Sequence, residues 1–330
     1  MKKLLKIALV VVVLAGVGFA AFIGYVVTFL PDIPLEEVRI EYTHERIKRG
    51  EYLAKSVAQC LDCHSERDWS KFSGPIKPGT EGAGGERFDQ SMGFPGSYTA
   101  PNLTPHNIKD WTDAELFRAI TAGVSRDGRP LFPIMPYPNY GKMDREDIYS
   151  IIAYIRKLPP VESETPPSSS DFPMSIIIHA IPSAPSFVQK PPRTDKVKYG
   201  AYLSNAAGCA ECHTPAKSGQ TIPELLFSGG RYIDTNTASV QTSNITPDKE
   251  TGIGAWSEQD FIARFKAFDK TSGMYKEDAV KEGDFNTPMP WQGYATMSEE
   301  DLAAIYAYLM SIKPIKNKVP KQHSIPRKKN

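Results

Sequence analysis

The longest apolar stretch runs from Ile7 to Leu30, 24 residues without a charge, with Lys2, Lys3 and Lys6 before it and Pro31, Asp32 and Pro34 after it. A helix of about 20 apolar residues crosses a bilayer once. A secretory signal has a shorter apolar core, about 7–15 residues, and a small-residue exit; residues 1–34 are therefore expected to be a cytoplasmic N-terminus and a retained transmembrane anchor. Beyond Leu30 the apolar residues fall into stripes of helical period. Ile47, Leu53, Ala54, Val57 and Ala58 form one; Leu116, Phe117 and Ile120 follow Thr112, and Phe261, Ile262 and Phe265 follow Ser257. Thr112-x-x-Glu115 and Ser257-x-x-Asp260 have the form of capping boxes, which start helices. A later stripe of Ile148, Ile151, Ile152, Ile155 and Leu158 has a counterpart in Leu302, Ile305, Tyr306 and Leu309, and Pro159-Pro160 and Pro314 end these helices. The pattern predicts a mainly α protein.

Those elements come in two sets. Gly50-Glu51-Tyr52-Leu53 matches Gly200-Ala201-Tyr202-Leu203, and Asn102-Leu103-Thr104-Pro105 matches Asn244-Ile245-Thr246-Pro247. Trp111 matches Trp256, Met135-Pro136-Tyr137 matches Met289-Pro290-Trp291, and Asp147 with Tyr154 matches Asp301 with Tyr308. A repeat of this kind fixes the domain count. The expectation is a first domain over residues 40–160, a Pro/Ser-rich linker over 161–194, a second domain over 195–314 and a basic tail over 315–330. Within the linker, the apolar run Phe172–Ile178 is expected to pack across the two domains. Gly50 and Gly200 cost about 1 kcal/mol each inside a helix, which close helix crossing would offset, with Tyr154 and Tyr308 as the candidate partners.

All four cysteines lie in two copies of one string, Cys60-Leu61-Asp62-Cys63-His64 and Cys209-Ala210-Glu211-Cys212-His213. Cys-x-x-Cys-His is an attachment site for a c-type haem. Positions i and i+3 of a helical turn share a face, so both sulfurs can bond one porphyrin edge, and the following histidine reaches the iron. A zinc site or a dithiol would account for the paired cysteines but not for a histidine after each second one. The string thus implies two covalently bound haem c groups, with Cys60, Cys63 and His64 on one and Cys209, Cys212 and His213 on the other.

What the irons do depends on the sixth ligand. A thioether closes the site and raises the potential, as in electron carriers; an open site favours oxygen or peroxide chemistry. Of nine methionines, Met135 and Met289 lie 75 and 80 residues after the first cysteine of their strings, in Pro133-Ile134-Met135-Pro136 and Pro288-Met289-Pro290. Proline holds such a loop out of a helix, and these two are the candidate distal ligands. Met143 and Met297 also recur but precede a helix start, where packing explains them. His44, His106, His179 and His323 are not repeated and read as surface, linker or tail residues. Arg87 and Arg231, each near a glycine pair, are candidate partners for haem propionates or solvated side chains.

Charge refines the picture. The formal net charge of +1 hides seven Lys or Arg after Ile312 and three lysines before the apolar run; between them, 29 basic residues face 38 acidic ones. An acidic body does not suit nucleic acid. The lysines before the span put the N-terminus in the cytoplasm by the positive-inside rule. A single-pass protein of the bacterial inner membrane, with its haem domains in the periplasm, is the expectation.

Ser243-Asn244-Ile245-Thr246-Pro247-Asp248, continued by Thr251-Gly252-Ile253-Gly254-Ala255-Trp256-Ser257, and Asp127-Gly128-Arg129-Pro130-Leu131 with Met135-Pro136-Tyr137 resemble the membrane-associated multihaem cytochrome c subunits of bacterial alcohol, gluconate and nicotinate dehydrogenases. The resemblance covers both repeats and implies two tandem cytochrome c-type domains. It implies His64 with Met135 and His213 with Met289 as axial pairs, and electrons taken from a dehydrogenase subunit and passed toward a quinone-linked complex or terminal oxidase. Those subunits commonly carry three haems, against two strings here. The function expected is a single-electron relay with no catalytic residue of its own; the alternative is a dihaem peroxidase or thiosulfate-oxidising enzyme with one open iron.

Overall fold

The computed structural model describes residues 1–320 apart from 218, 235–238, 271–278 and 282–283. His323 and most of the expected basic tail lie outside the described residues. The protein is mainly helical. It begins with α1 (Lys2–Phe29), the one helix among the described residues long and apolar enough to cross a membrane.

Two helical units follow, built alike. The first has α2 (His44–Tyr52), α3 (Cys60–Cys63), α4 (Pro105–Ile108), α5 (Asp113–Ala122), α6 (Tyr137–Tyr140) and α7 (Arg145–Ile155). Strands β1 (Arg87–Phe88), β2 (Gly96–Thr99) and β3 (Ser169–Ser170) form a small antiparallel sheet beside it, in register Arg87 to Thr99 and Gly96 to Ser170. After the short linker helix α8 (Met174–Ile177) comes the second unit: α9 (Lys196–Ala206), α10 (Cys209–His213), α11 (Glu258–Lys266), α12 (Trp291–Ala295) and α13 (Glu299–Ser311). It carries two hairpins, β4 (Ala216–Lys217) with β5 (Gln220–Thr221) and β6 (Tyr232–Asp234) with β7 (Ser239–Gln241). Both capping boxes form: Glu115 N donates to Thr112 Oγ1 at 3.2 Å and Asp260 N to Ser257 Oγ at 3.1 Å.

Each unit is held by its first and last helices, α2 on α7 and α9 on α13. Glycine makes the crossing possible. A Cβ added at Gly50 would fall 1.8 Å from the Ser150 carbonyl oxygen, and one at Gly200 the same distance from that of Ala304. Tyr154 does flank Gly50, its Cβ 2.9 Å from the added atom. Tyr308, its counterpart in the repeat, meets Phe227 edge-on at 6.0 Å between ring centroids. Leu53, Ile148 and Ile152 are sealed from solvent in the first unit and Leu203 and Leu302 in the second, with Met143 and Met297 among them as core residues. Because the clash is with backbone, Gly200→Ala should cost about 2–3 kcal/mol by overpacking and lower the Tm by roughly 5 °C or more. Gly18→Ala, on the open surface of α1, is the control for that melting experiment.

The units differ by one residue where it is instructive. Seven residues separate Tyr52 from Cys60 and six separate Tyr202 from Cys209. The extra one is absorbed as a π turn over Leu53–Val57, the usual way a helix accommodates a local bulge. Tyr52 and Cys60 thereby keep the places their counterparts hold.

The units face each other through a reciprocal contact. Tyr52 Oη donates to Asp301 Oδ2 at 2.8 Å and accepts from Ser298 N at 3.1 Å; Tyr202 Oη donates to Asp147 Oδ2 at 2.7 Å and accepts from Asp144 N at 3.2 Å. Each tyrosine thus caps the start of the other unit's last helix, satisfying an end that helices leave open. Asn139 and Asn205 exchange side-chain to carbonyl bonds at 3.2 and 2.9 Å across the same interface. The linker straps this face: Lys190 reaches Asp147 at 3.1 Å, and the Arg193 guanidinium lies 3.0 Å from Asp301. The Phe172–Ile178 run, expected to pack across the two units, makes its main contacts with α1 and with β3 of the first unit.

Candidate haem-attachment sites

Each Cys-x-x-Cys-His string occupies one helical turn, and a left-handed residue sets it off from the helix before. Gln59 (φ 53°) precedes α3 and Gly208 (φ 65°) precedes α10. The break lets the cysteine turn leave the axis of α2 or α9 while both sulfurs stay on one face. All four cysteines are unpaired; Cys60, Cys63 and Cys209 are half-buried and Cys212 is exposed. Burial pushes the Cys60 and Cys63 thiols up to about 12 and Cys209 to about 11, so as free groups they stay protonated at neutral pH. Among the described residues no three His, Cys, Asp or Glu side chains converge as a metal-ion site. That is not what a tetrahedral zinc centre requires.

The histidines are positioned identically. His64 Nδ1 lies 2.7 Å from the Pro101 carbonyl oxygen and His213 Nδ1 lies 2.8 Å from that of Ser243. A carbonyl only accepts, so the proton sits on Nδ1 and Nε2 keeps its lone pair, the arrangement of a metal-ligating imidazole. Burial lowers the His64 and His213 pKa, which keeps the rings neutral as ligands must be. Donor chemistry and geometry both fit a haem iron.

Those carbonyls belong to the residues just before the duplicated Asn-x-Thr-Pro string, which fixes the chain there. Asn102 Oδ1 accepts from Thr104 N and Thr104 Oγ1, each at 2.7 Å, while Asn102 Nδ2 donates to Val161 O at 2.8 Å. Asn244 repeats this with Thr246 at 2.9 and 2.7 Å and with Ile315 O at 2.8 Å. Glycine completes the cradle: Gly84 N bonds His64 O and Gly229 N bonds His213 O. A Cβ on Gly84 or Gly229 would fall 2.6 or 2.4 Å from the backbone of the asparagine strand. The sequence repeat pairs these asparagines but does not show that the residue before each one orients the histidine.

Met135 and Met289 are half-buried against the core. Both sit at the same tight turn, Tyr137 N donating to Met135 O at 2.7 Å and Trp291 N to Met289 O at 2.8 Å. The helices after them, α6 and α12, each return a tyrosine to the haem string: Tyr140 Oη donates to Ala58 O at 2.9 Å and Tyr294 Oη to Ala207 O at 2.7 Å, in each case two residues before the first cysteine. Each methionine loop is thereby tied to its own string. Tyr140 and Tyr294 escaped the sequence reading, although each falls five residues after its methionine. Arg87 pairs with Asp89 at 3.3 Å, and Arg231 bonds the Glu211 carbonyl.

These features are what covalent attachment of a c-type haem requires. Residues 197–313 match the model of the cytochrome c family, so the second unit is a cytochrome c domain, a domain that carries covalently bound haem c. The chain is 28% identical over 283 residues to an alcohol dehydrogenase (quinone), cytochrome c subunit, of Gluconobacter oxydans, covering 81% of this chain and 54% of the relative. It is 28% identical over 285 residues to a gluconate 2-dehydrogenase cytochrome c subunit of Pantoea cypripedii, 81% and 59% of the two chains. A diheme cytochrome c-type of Cereibacter sphaeroides is 28% identical over 271 residues, 78% of this chain and 82% of that one. The chain therefore spans little more than half the length of the two dehydrogenase subunits.

Proposed function

We propose that the protein is a membrane-anchored dihaem c-type cytochrome, with His64 and Met135 as axial ligands of one iron and His213 and Met289 of the other. It relays single electrons between a periplasmic dehydrogenase or other donor and the respiratory chain, through a quinone-linked complex or a terminal oxidase. The observation that carries this is the exact duplication of parts: a carbonyl-oriented histidine on each string and a proline-flanked methionine whose loop is tied back to that string. Each haem supplies a reversible one-electron iron couple. The protein contributes the thioether-forming cysteines, a neutral imidazole in fixed orientation and a soft sulfur that closes the iron and raises its potential.

The two units of the chain thus become two haem domains joined by the linker, and α1 anchors them. Lys2, Lys3 and Lys6 precede the apolar run, so the N-terminus stays in the cytoplasm and both domains lie in the periplasm. A dehydrogenase subunit as donor accords with the named relatives.

Pyridine haemochrome analysis of the purified protein should give two haem c per chain, and carbon monoxide added after reduction should leave both spectra unchanged. One haem per chain would sink the dihaem reading. Rapid carbon monoxide binding at one iron would instead favour a dihaem enzyme.

A further inference from the structure

The apolar run in the linker lies beside the end of the membrane helix. α8 and the turn after it, Ile178–Ala180, contact α1, where Val26 is buried at 6% exposure although its neighbours Tyr25 and Val27 are exposed. Ile178 is buried in the same contact region. His179 Nδ1 donates to the Leu30 carbonyl at 3.0 Å, across 149 residues. That carbonyl belongs to the last turn of α1, whose acceptors otherwise lack partners. A second tie comes from Arg118, whose guanidinium bonds the Ile33 carbonyl at 3.3 Å. The end of α1 is thus tied to the linker through His179 and to the first unit through Arg118.

The linker's other face is open. Phe172 is 81% exposed and Ile177 48%, with Met174 and Ile176 half-buried. Phe172 to Pro182 contains no charged residue. Apolar side chains clustered on a surface call for a covering partner, and here the cluster adjoins α1, whose length and apolarity suit a bilayer. We infer that residues 172–181 form a second membrane contact, a foot that dips Phe172 and Ile177 into the headgroup and upper acyl region of the leaflet from which α1 emerges. This rests on the reading of α1 as an anchor. Covering Phe172 and Ile177 removes apolar surface from water and restricts the tilt of the body on the membrane. The occupant is phospholipid, recognised by its apolar depth, since the foot offers no charge to select a headgroup.

Spin labels on the full-length oxidised protein in phosphatidylcholine vesicles test this. Labels are placed singly by Phe172→Cys, Ile177→Cys, Val12→Cys within α1 and Glu224→Cys on the second unit. Power saturation then compares relaxation by oxygen, which concentrates in lipid, with relaxation by a water-soluble nickel chelate. Positions 172, 177 and 12 should favour oxygen several-fold relative to position 224. Oxygen preference at 12 but at neither 172 nor 177 would overturn the foot and leave the anchor standing. Nickel preference at 12 would overturn the anchor reading itself, and the foot with it.

Discussion

Replacing Met289 by alanine is expected to open the second iron to carbon monoxide and to lower its potential on the order of 0.2 V, a fraction of the ~0.8 V range that axial ligation spans, while the first haem keeps its spectrum. The loop survives the change because its backbone is held independently of the side chain. Met289 N donates to Thr287 Oγ1 at 3.1 Å, and Met289 O accepts from Trp291 N at 2.8 Å and from Ser73 Oγ of the first unit at 2.5 Å. What is lost is the thioether, a neutral sulfur that favours the reduced iron. A redox titration followed at the haem absorption band should therefore resolve two waves, of which only one moves. Met297→Leu, a swap within the core, should move neither wave. An unchanged spectrum in the Met289 variant would refute the ligand assignment.

Loss of the Asp147 carboxylate should produce the largest change in stability. Arg49 approaches it bidentately at 2.8 and 3.0 Å, Lys190 at 3.1 Å and Tyr202 at 2.7 Å, and the carboxylate is sealed from solvent. Asp147→Ala leaves these donors without an acceptor, and breaking a buried pair in this way costs about 3–5 kcal/mol. The pH dependence follows from the same contacts. Burial by itself would raise the Asp147 pKa, but the hydrogen bonds and charge of Arg49 hold it below the ordinary carboxylate range. An aspartate in the unfolded chain titrates near about 3.9. The contribution is complete above that value and disappears as pH falls through the lower folded value. Denaturant unfolding from pH 7 down to about pH 2 should show a limb below the unfolded value of about 3.9 that is steep in the parent protein and flatter in Asp147→Asn. Equal slopes would show that the carboxylate charge contributes nothing.

The sequence made the helices legible where local chemistry decides them. The caps at Thr112 and Ser257, the apolar stripes of α7 and α13 and the glycines at the two crossings depend on residues within a turn or two, or on a contact duplicated in the repeat. The cysteines and histidines were legible because covalent attachment imposes a fixed spacing. Met135 and Met289 stood out by repetition and flanking prolines, which mark a loop without saying what it touches. The contacts that orient the histidines were hidden because a backbone carbonyl carries no residue signature; Pro101 and Ser243 share nothing but position. The one-residue difference before the two strings is visible in the sequence, but not that a π turn over Leu53–Val57 takes it up. The tyrosine exchange was hidden for another reason. Tyr52 and Tyr202 stand out only as matched positions of the repeat, which does not tell that their hydroxyls serve the other unit. Similarly, the Phe172–Ile178 run was visibly apolar, but apolarity alone does not choose between a neighbouring domain and the end of a distant helix.

That exchange has a consequence for how the two units stay together. An interface in which residue i of one unit meets residue j of the other, and j meets i, is the isologous contact of a two-fold homodimer. Tyr52 with Asp301 and Tyr202 with Asp147 retain that symmetry within a single polypeptide. Between two separate chains such a pairing would form only on association and would depend on concentration; within one polypeptide, joined by the linker, both bonds form whatever the concentration.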